Sequence, residues 1–216
     1  MLVRTDRGLW AVADGMGGHE AGDVASAKVT EALLRLPIVY SLDELVESAI
    51  AALGRVNQEL LTLAASNNGG RTIGSTVVGV AIADNQFRCF WAGDSRAYRI
   101  RGDQIVQLSR DHSLVQDLVA AGMLDPKEAE NHPNANVITR AVGVLEDLKV
   151  ETASGDVEAG DQFLLASDGL TRLVDNQELL VELTTRRPAA AAERLVDIVL
   201  SRGAPDNVSM IIVKLT

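Results

Sequence analysis

The chain is short of several things, and each shortage narrows what it can be. It has one cysteine, Cys89, in 216 residues. No disulfide can form within it, so a reducing, cytoplasmic setting is expected. Aromatic residues make up 3%, which leaves the core to Val, Leu, Ile and Ala. No run of 18 apolar residues occurs, so no membrane-spanning helix is expected. The N-terminus lacks the apolar stretch of a secretory signal. Basic residues are outnumbered, 20 Lys and Arg against 30 Asp and Glu, for a net charge of −10. With no basic stripe to release counterions from phosphates, nucleic acid is not an expected partner. The three histidines, His19, His112 and His132, are too scattered to suggest zinc. Neither a Walker A sequence nor a Gly-x-Ser-x-Gly elbow is present.

What is present is a repeated design. Four apolar runs meet an aspartate at a turn: WAVADGMGG (Trp10 to Gly18), CFWAGDSR (Cys89 to Arg96), FLLASDGL (Phe163 to Leu170) and GAPDNVSMIIV (Gly203 to Val213). The aspartates are Asp14, Asp94, Asp168 and Asp206. Any one of them reads as an ordinary turn residue. As a set they differ, because carboxylates at the ends of buried strands are costly unless neutralised. Several converging on one place point to a hard divalent cation with oxygen ligands. The glycines at 15, 17, 18 and 22 also invite a dinucleotide reading. That fingerprint needs glycine at 20, where Glu20 stands, so it fails.

Periodicity predicts the elements. Leu9 to Ala13 reads as a strand. A helix follows, with Ala25, Val29, Ala32, Leu33 and Leu36 on one face, stopped by Pro37. Ser41 and Glu44 form a capping box for a long helix striped by Leu45, Ala49, Ala52, Leu53, Val56, Leu60 and Leu63. Ser66 to Gly70 reads as a polar loop. Strands over Thr76 to Ala83, Gln86 to Ala92, Ala97 to Ile100 and Ile105 to Leu108 are joined by tight turns and so are antiparallel neighbours. Helical segments over His112 to Ala121 and from Pro126 to Glu130 read as an insertion. His112 is read as a capping or packing residue. Strands return at Leu148 to Ala153, Gln162 to Ala166 and Val208 to Leu215, with helices over Gln177 to Thr184 and Ala189 to Leu200. This order predicts an α+β domain.

Seven segments, in order, resemble one family: ADGMGGHEAGDVAS (Ala13 to Ser26), IGSTVV (Ile73 to Val78), AGDSRAYRIR (Ala92 to Arg101), LSRDHSLVQDLVAAG (Leu108 to Gly122), VITRAVG (Val137 to Gly143), LLASDGL (Leu164 to Leu170) and PDNVSMIIV (Pro205 to Val213). They are similar to the metal-dependent protein serine/threonine phosphatases of PP2C type (PPM), in the bacterial style, over essentially the whole chain. The resemblance implies a single domain over residues 1–216. It also implies an α-β-β-α sandwich of two antiparallel sheets, with a flap at about 112–140.

It implies that Asp14 bridges two ions of Mg²⁺ or Mn²⁺, that the Gly15 carbonyl binds one and that Asp168 and Asp206 bind the other. Asp94 would help Asp168 hold a third, weaker ion. A metal-activated water would then hydrolyse phosphoserine or phosphothreonine in proteins, with Asp14, Asp168 and Asp206 as the catalytic carboxylates. The implied partners are Ser/Thr-phosphorylated proteins and a cognate Ser/Thr kinase pathway, for a cytoplasmic signalling monomer without membrane or nucleic-acid contacts.

Two departures stand out. Met16 occupies the position where some members carry a histidine, and that histidine's role does not transfer to His19. The family's first strand, with its arginine and a further acidic motif, would precede Met1. Arg4, Asp6 and Arg7 lie too close to the Trp10 strand to replace it and read as a hairpin turn. Met1 is therefore read as an internal methionine or a late start, with weak metal binding and weak activity expected. The competing readings are a catalytically impaired phosphatase-fold protein that binds a regulator, and a hydrolase of small phosphate esters.

Overall fold

A computed structural model describes residues 1–66, 72–129 and 132–216. Residues 67–70 of the expected polar loop, the Glu130 end of the expected short helix and the side chain of His19 lie outside what it describes.

The chain opens with a hairpin. β1 (Leu2–Arg4) pairs antiparallel with β2 (Leu9–Val12) across a 3₁₀ turn at Thr5–Arg7. β3 (Gly15–Met16) is a two-residue strand that leads into α1 (His19–Leu34). α1 ends before Pro37, as a proline demands. α2 (Leu42–Ser66) buries Leu45, Ala49, Ala52, Leu53, Val56 and Leu60, the stripe that its periodicity predicts. Its capping box is half formed. Ser41 Oγ accepts from Glu44 N at 3.1 Å, while Glu44 takes Tyr40 N rather than closing the box.

β4 (Gly74–Ser75), β5 (Val77–Ala83) and β6 (Gln86–Ala92) follow. β5 and β6 join through Asp84 and Asn85, both at positive φ, the backbone of a tight hairpin turn. β7 (Arg96–Arg101) and β8 (Gln104–Gln107) form a second hairpin. α3 (Leu114–Ala120) is capped by Ser113, and α4 (Pro126–Ala129) is one turn. β9 (Glu151–Asp156), β10 (Gln162–Ala166), α5 (Asp168–Thr171), α6 (Asn176–Thr185), α7 (Pro188–Ser201) and β11 (Met210–Lys214) complete the chain.

Two antiparallel sheets result, in the orders β1-β2-β5-β6-β9 and β11-β10-β7-β8. The period-2 alternation of each strand then fixes the layers. Val12, Val78, Cys89, Trp91, Phe163 and Leu165 point between the sheets. Leu9, Ala11, Val77 and Phe90 point the other way, into α1 and α2. Leu164 and Ala166 point out under α6 and α7 with Leu179, Leu183, Leu195 and Val199. The architecture is the α-β-β-α sandwich of the α+β class. Among the described residues no helix is long and apolar enough to cross a membrane.

The expected strand at Leu148 to Ala153 is displaced to Glu151–Asp156. Leu148 and Val150 are apolar because they pack against the core between the first sheet and its helices, not because they pair. The ladder with β6 runs from Trp91↔Glu151 to Gln86↔Asp156. One face of this edge strand is solvated, so it alternates half-buried and exposed to its end. β1, the β3–β4 pair and the single turn of α5 are elements that periodicity did not reveal.

Register places the acidic turns together. Val12 pairs with Val78, and Val77 with Ala92, so β2 and β6 finish at the same end of the first sheet. Ala166 pairs with both Arg96 and Met210, so in the second sheet β10 ends where β7 and β11 begin. The segments carrying Asp14, Asp94, Asp168 and Asp206 all sit at those termini.

Candidate metal centre

The turn after β2 is held by hydroxyls. Thr76 N donates to the Asp14 carbonyl at 2.8 Å, and Ser75 Oγ donates to the same oxygen at 3.0 Å. Asp14 N donates to Thr76 Oγ1 at 3.2 Å. Thr76 Oγ1 also shares a 2.7 Å hydrogen bond with Ser95 Oγ. One threonine thus ties the Asp14 turn to the residue beside Asp94. The turn also rests directly on α1. A Cβ added to Gly15 would lie 1.9 Å from the Gly22 carbonyl oxygen, so only glycine permits this approach.

The other pair is set in the same manner. Ser167 N donates to Ser209 O at 2.9 Å, and Ser209 N donates back to Ser167 Oγ at 3.0 Å. This clamp joins the end of β10 to the segment before β11. A Cβ on Gly169 would fall 2.2 Å from the Asn207 carbonyl oxygen. The bare glycine therefore lets the Asp168 turn meet the Asp206 loop. Asp206 itself is exposed, its carboxylate accepting Asn207 N at 2.7 Å.

The electrostatics follow from this crowding. Burial first, then the charges of Asp168 and Asp206, push the Asp14 pKa up to about 6. Burial, then Asp168 and Asp111, push Asp94 up to about 7 against the pull of Arg172. Asp168 is also raised, by burial and by Asp206, with Arg172 opposing. Each shift says that the ionised form lacks sufficient positive charge nearby. Arg172 supplies part of it, with Nε 2.9 Å from Asp168 Oδ2 and Nη2 3.3 Å from Asp94 Oδ2. Arg96 is committed elsewhere. Its Nε and Nη2 donate to both oxygens of Asp111, the Nη2 bond to Oδ2 at 2.7 Å.

His112 does not cap α3; Ser113 does. The imidazole is buried against Trp91 with ring centroids 6.3 Å apart. Its Nδ1 accepts from Gly93 N at 3.2 Å, which steadies the turn before Asp94. Nε2 lies 3.1 Å from Glu151 Oε1, at an angle poor for a hydrogen bond. Above the acidic end lies a cavity of about 130 Å³, lined by Asp94, Asp168, Arg172, Arg96 and Asp111 and by Ala129 and Ala135 of the 112–140 segment.

The structure thus gathers Asp14, Gly15, Asp94, Asp168 and Asp206 at one end of the sandwich. As they stand, no three acidic, histidine or cysteine side chains among the described residues converge tightly enough to hold an ion. That spacing is what mutual repulsion and the interposed Arg172 would give. The donor set still fits a hard divalent cation: oxygens only, several charges, and raised carboxylate pKa values that a cation would bring down. Residues that sequence reasoning left without a role are Ser75, Thr76, Ser95, Ser167, Ser209 and Arg172. The first five lie inside or beside the motifs, but hydroxyl pairing across the fold leaves no local pattern.

Comparison with known proteins finds the same fold elsewhere. The family model described as protein phosphatase 2C matches residues 2–201. The chain is 34% identical to the protein phosphatase PhpP of Streptococcus pneumoniae over 98% of this chain and 87% of that protein. Its fold is similar to PppA, a key regulatory component of T6SS in Pseudomonas aeruginosa. There the TM-score is 0.90 and the identity 43%, over 98% of this chain and 87% of that one. It is also similar to the catalytic domain of the serine/threonine protein phosphatase PstP in complex with two manganese ions. That match has a TM-score of 0.82 and 32% identity, over 94% of this chain and 86% of that one. On motif order, fold and identity together, the chain is a member of the protein phosphatase 2C family.

Proposed function

We propose that this protein removes phosphate from phosphoserine and phosphothreonine in proteins, using Mg²⁺ or Mn²⁺. The observation that carries the reading is the forced meeting of Asp14, Asp168 and Asp206 from three separate segments, at a cost visible in the raised pKa values of Asp14 and Asp168. When bound, divalent cations make water nucleophilic near neutral pH and offset charge on the phosphoryl oxygens. The chain's own part is positional. Asp14, the Gly15 carbonyl, Asp168 and Asp206 would hold two such ions at the strand termini. Asp94 and Asp168 share the remaining position, which a third, weaker ion would have to contest with Arg172.

Ser75 and Thr76 fix the Asp14 turn, and the Ser167–Ser209 clamp fixes the other pair, so the carboxylates are oriented before substrate arrives. The segment 112–140, which borders the cavity, acts as a flap that shapes the substrate groove. The substrates are phosphoproteins made by a Ser/Thr kinase, and a monomer in the cytoplasm is the working form. The test is Mn²⁺-dependent phosphate release from a panel of Ser/Thr phosphopeptides beside p-nitrophenyl phosphate. Chelation should stop turnover and added Mn²⁺ should restore it. Asp168→Ala should lower kcat by about 100-fold or more while circular dichroism is unchanged. Full activity of Asp168→Ala would refute the assignment of the site, and turnover confined to the small ester would refute the protein substrate.

A further inference from the structure

Arg172 stands between the buried carboxylate of Asp94 and the half-buried one of Asp168, where a cation shared by them would stand. It follows Asp168 by four residues across the single turn of α5, the spacing that stacks side chains on one helix face. Its guanidinium touches Oδ2 of Asp168 at 2.9 Å and Oδ2 of Asp94 at 3.3 Å. The side chains of Asp94 and Asp168 are 8% and 18% exposed and that of Arg172 is 35% exposed, so the carboxylates are mostly shielded while the arginine reaches them from the cavity side. A divalent ion bridging them would need those oxygens at about 2.0–2.5 Å. The ion and the guanidinium therefore exclude one another. No other ion pair to Asp94 occurs among the described residues. Arg96, the other guanidinium beside the cavity, is spent on Asp111.

We infer that Arg172 is a built-in cation at the Asp94–Asp168 position and keeps a third divalent ion out of the centre. A guanidinium never titrates in the working pH range and is tethered to α5, so the position stays filled without any dissociable occupant. The centre would then run on two ions, and dependence on a weakly held third one would be absent. This inference rests on the metallophosphatase reading and narrows it.

Mn²⁺ binding to the whole chain, counted by electron paramagnetic resonance of free Mn²⁺ and by calorimetry, tests it without reference to turnover. Arg172→Gln should bind one more Mn²⁺ per chain than the wild type, or hold its weakest ion at least about tenfold more tightly. Arg172→Lys, which keeps the charge, should match the wild type. Adding Asp94→Asn to Arg172→Gln should erase the gain. Asp94→Asn alone relieves repulsion and folds independently of the Arg172 variants; it should leave the Mn²⁺ count unchanged. If Arg172→Gln binds Mn²⁺ as the wild type does, or if Asp94→Asn alone loses an ion, the inference is wrong and the phosphatase reading survives. A folded wild type that binds no Mn²⁺ overturns both.

Discussion

An aspartate enclosed at the end of a strand holds its proton longer than a free one, and Asp94 and Asp14 do so here. Asp94 is pushed from 3.8 to about 7 and Asp14 from 3.8 to about 6, burial being the first cause in each. The sign is that of a raised acid. Below about pH 4 both folded and unfolded chains carry the proton and the groups contribute nothing. Between pH 4 and pH 7 the folded chain keeps protons that the unfolded chain has released, so stability falls as pH rises. For Asp94 the ceiling is about 4 kcal/mol. The metal-free thermal midpoint should therefore decline from about pH 5 to about pH 7.5, and Asp94→Asn should flatten that decline. Parallel curves for the two proteins would contradict the electrostatic account. The four aspartates were legible in the sequence because each follows or precedes an unbroken apolar strand. Arg172 was not, since its role exists only where α5 meets the turn after β6.

At the scale of the element, two glycines in helices make opposite forecasts. Gly22, in α1, lies so close to the Asp14 turn that an added Cβ would sit 2.8 Å from the backbone of Gly15. Gly54, inside α2, would meet nothing within 4 Å. Gly22→Ala should cost about 1–3 kcal/mol in urea unfolding, by overpacking, and should weaken Mn²⁺ binding as the turn shifts. Gly54→Ala should stabilise by about 0.5–1 kcal/mol, the helix preference of alanine. Equal effects at the two sites would show that the α1 contact does not constrain the turn. The long elements were readable because their signals are long. The α2 stripe spans many turns, and β6 is a mostly apolar run bounded by two turn signals. Short elements have no period to read, so β3, β4 and α5 escaped. β9 was displaced because Leu148 and Val150 mimic a strand start while serving the helix layer.

The whole molecule is two sheets closed on each other; antiparallel hairpins and amphipathic helices made the α+β class legible, while the closing of one sheet on the other was implied by the family resemblance. Cys89 reports on that closure. It faces the inter-sheet core, is 0% exposed, and burial pushes its thiol pKa well above the usual range. A thiol in that state is inert, because the thiolate is the reactive species. Labelling by an aromatic disulfide should wait on separation of the sheets, so its rate reads the free energy of opening. Anything that binds only the closed sandwich must slow it. The proposed ligands come from the ends of both sheets, Asp14 from the first and Asp168 and Asp206 from the second, so cations would staple the layers together. At about 100 times its dissociation constant, a ligand adds about 2.7 kcal/mol, which is about a 100-fold slower reaction. Mn²⁺ should give that protection at Cys89, and Asp14→Asn should remove most of it, because the first sheet would lose its hold. Protection undiminished in Asp14→Asn would mean that the ions bind one sheet only, and the shared centre would have to be abandoned.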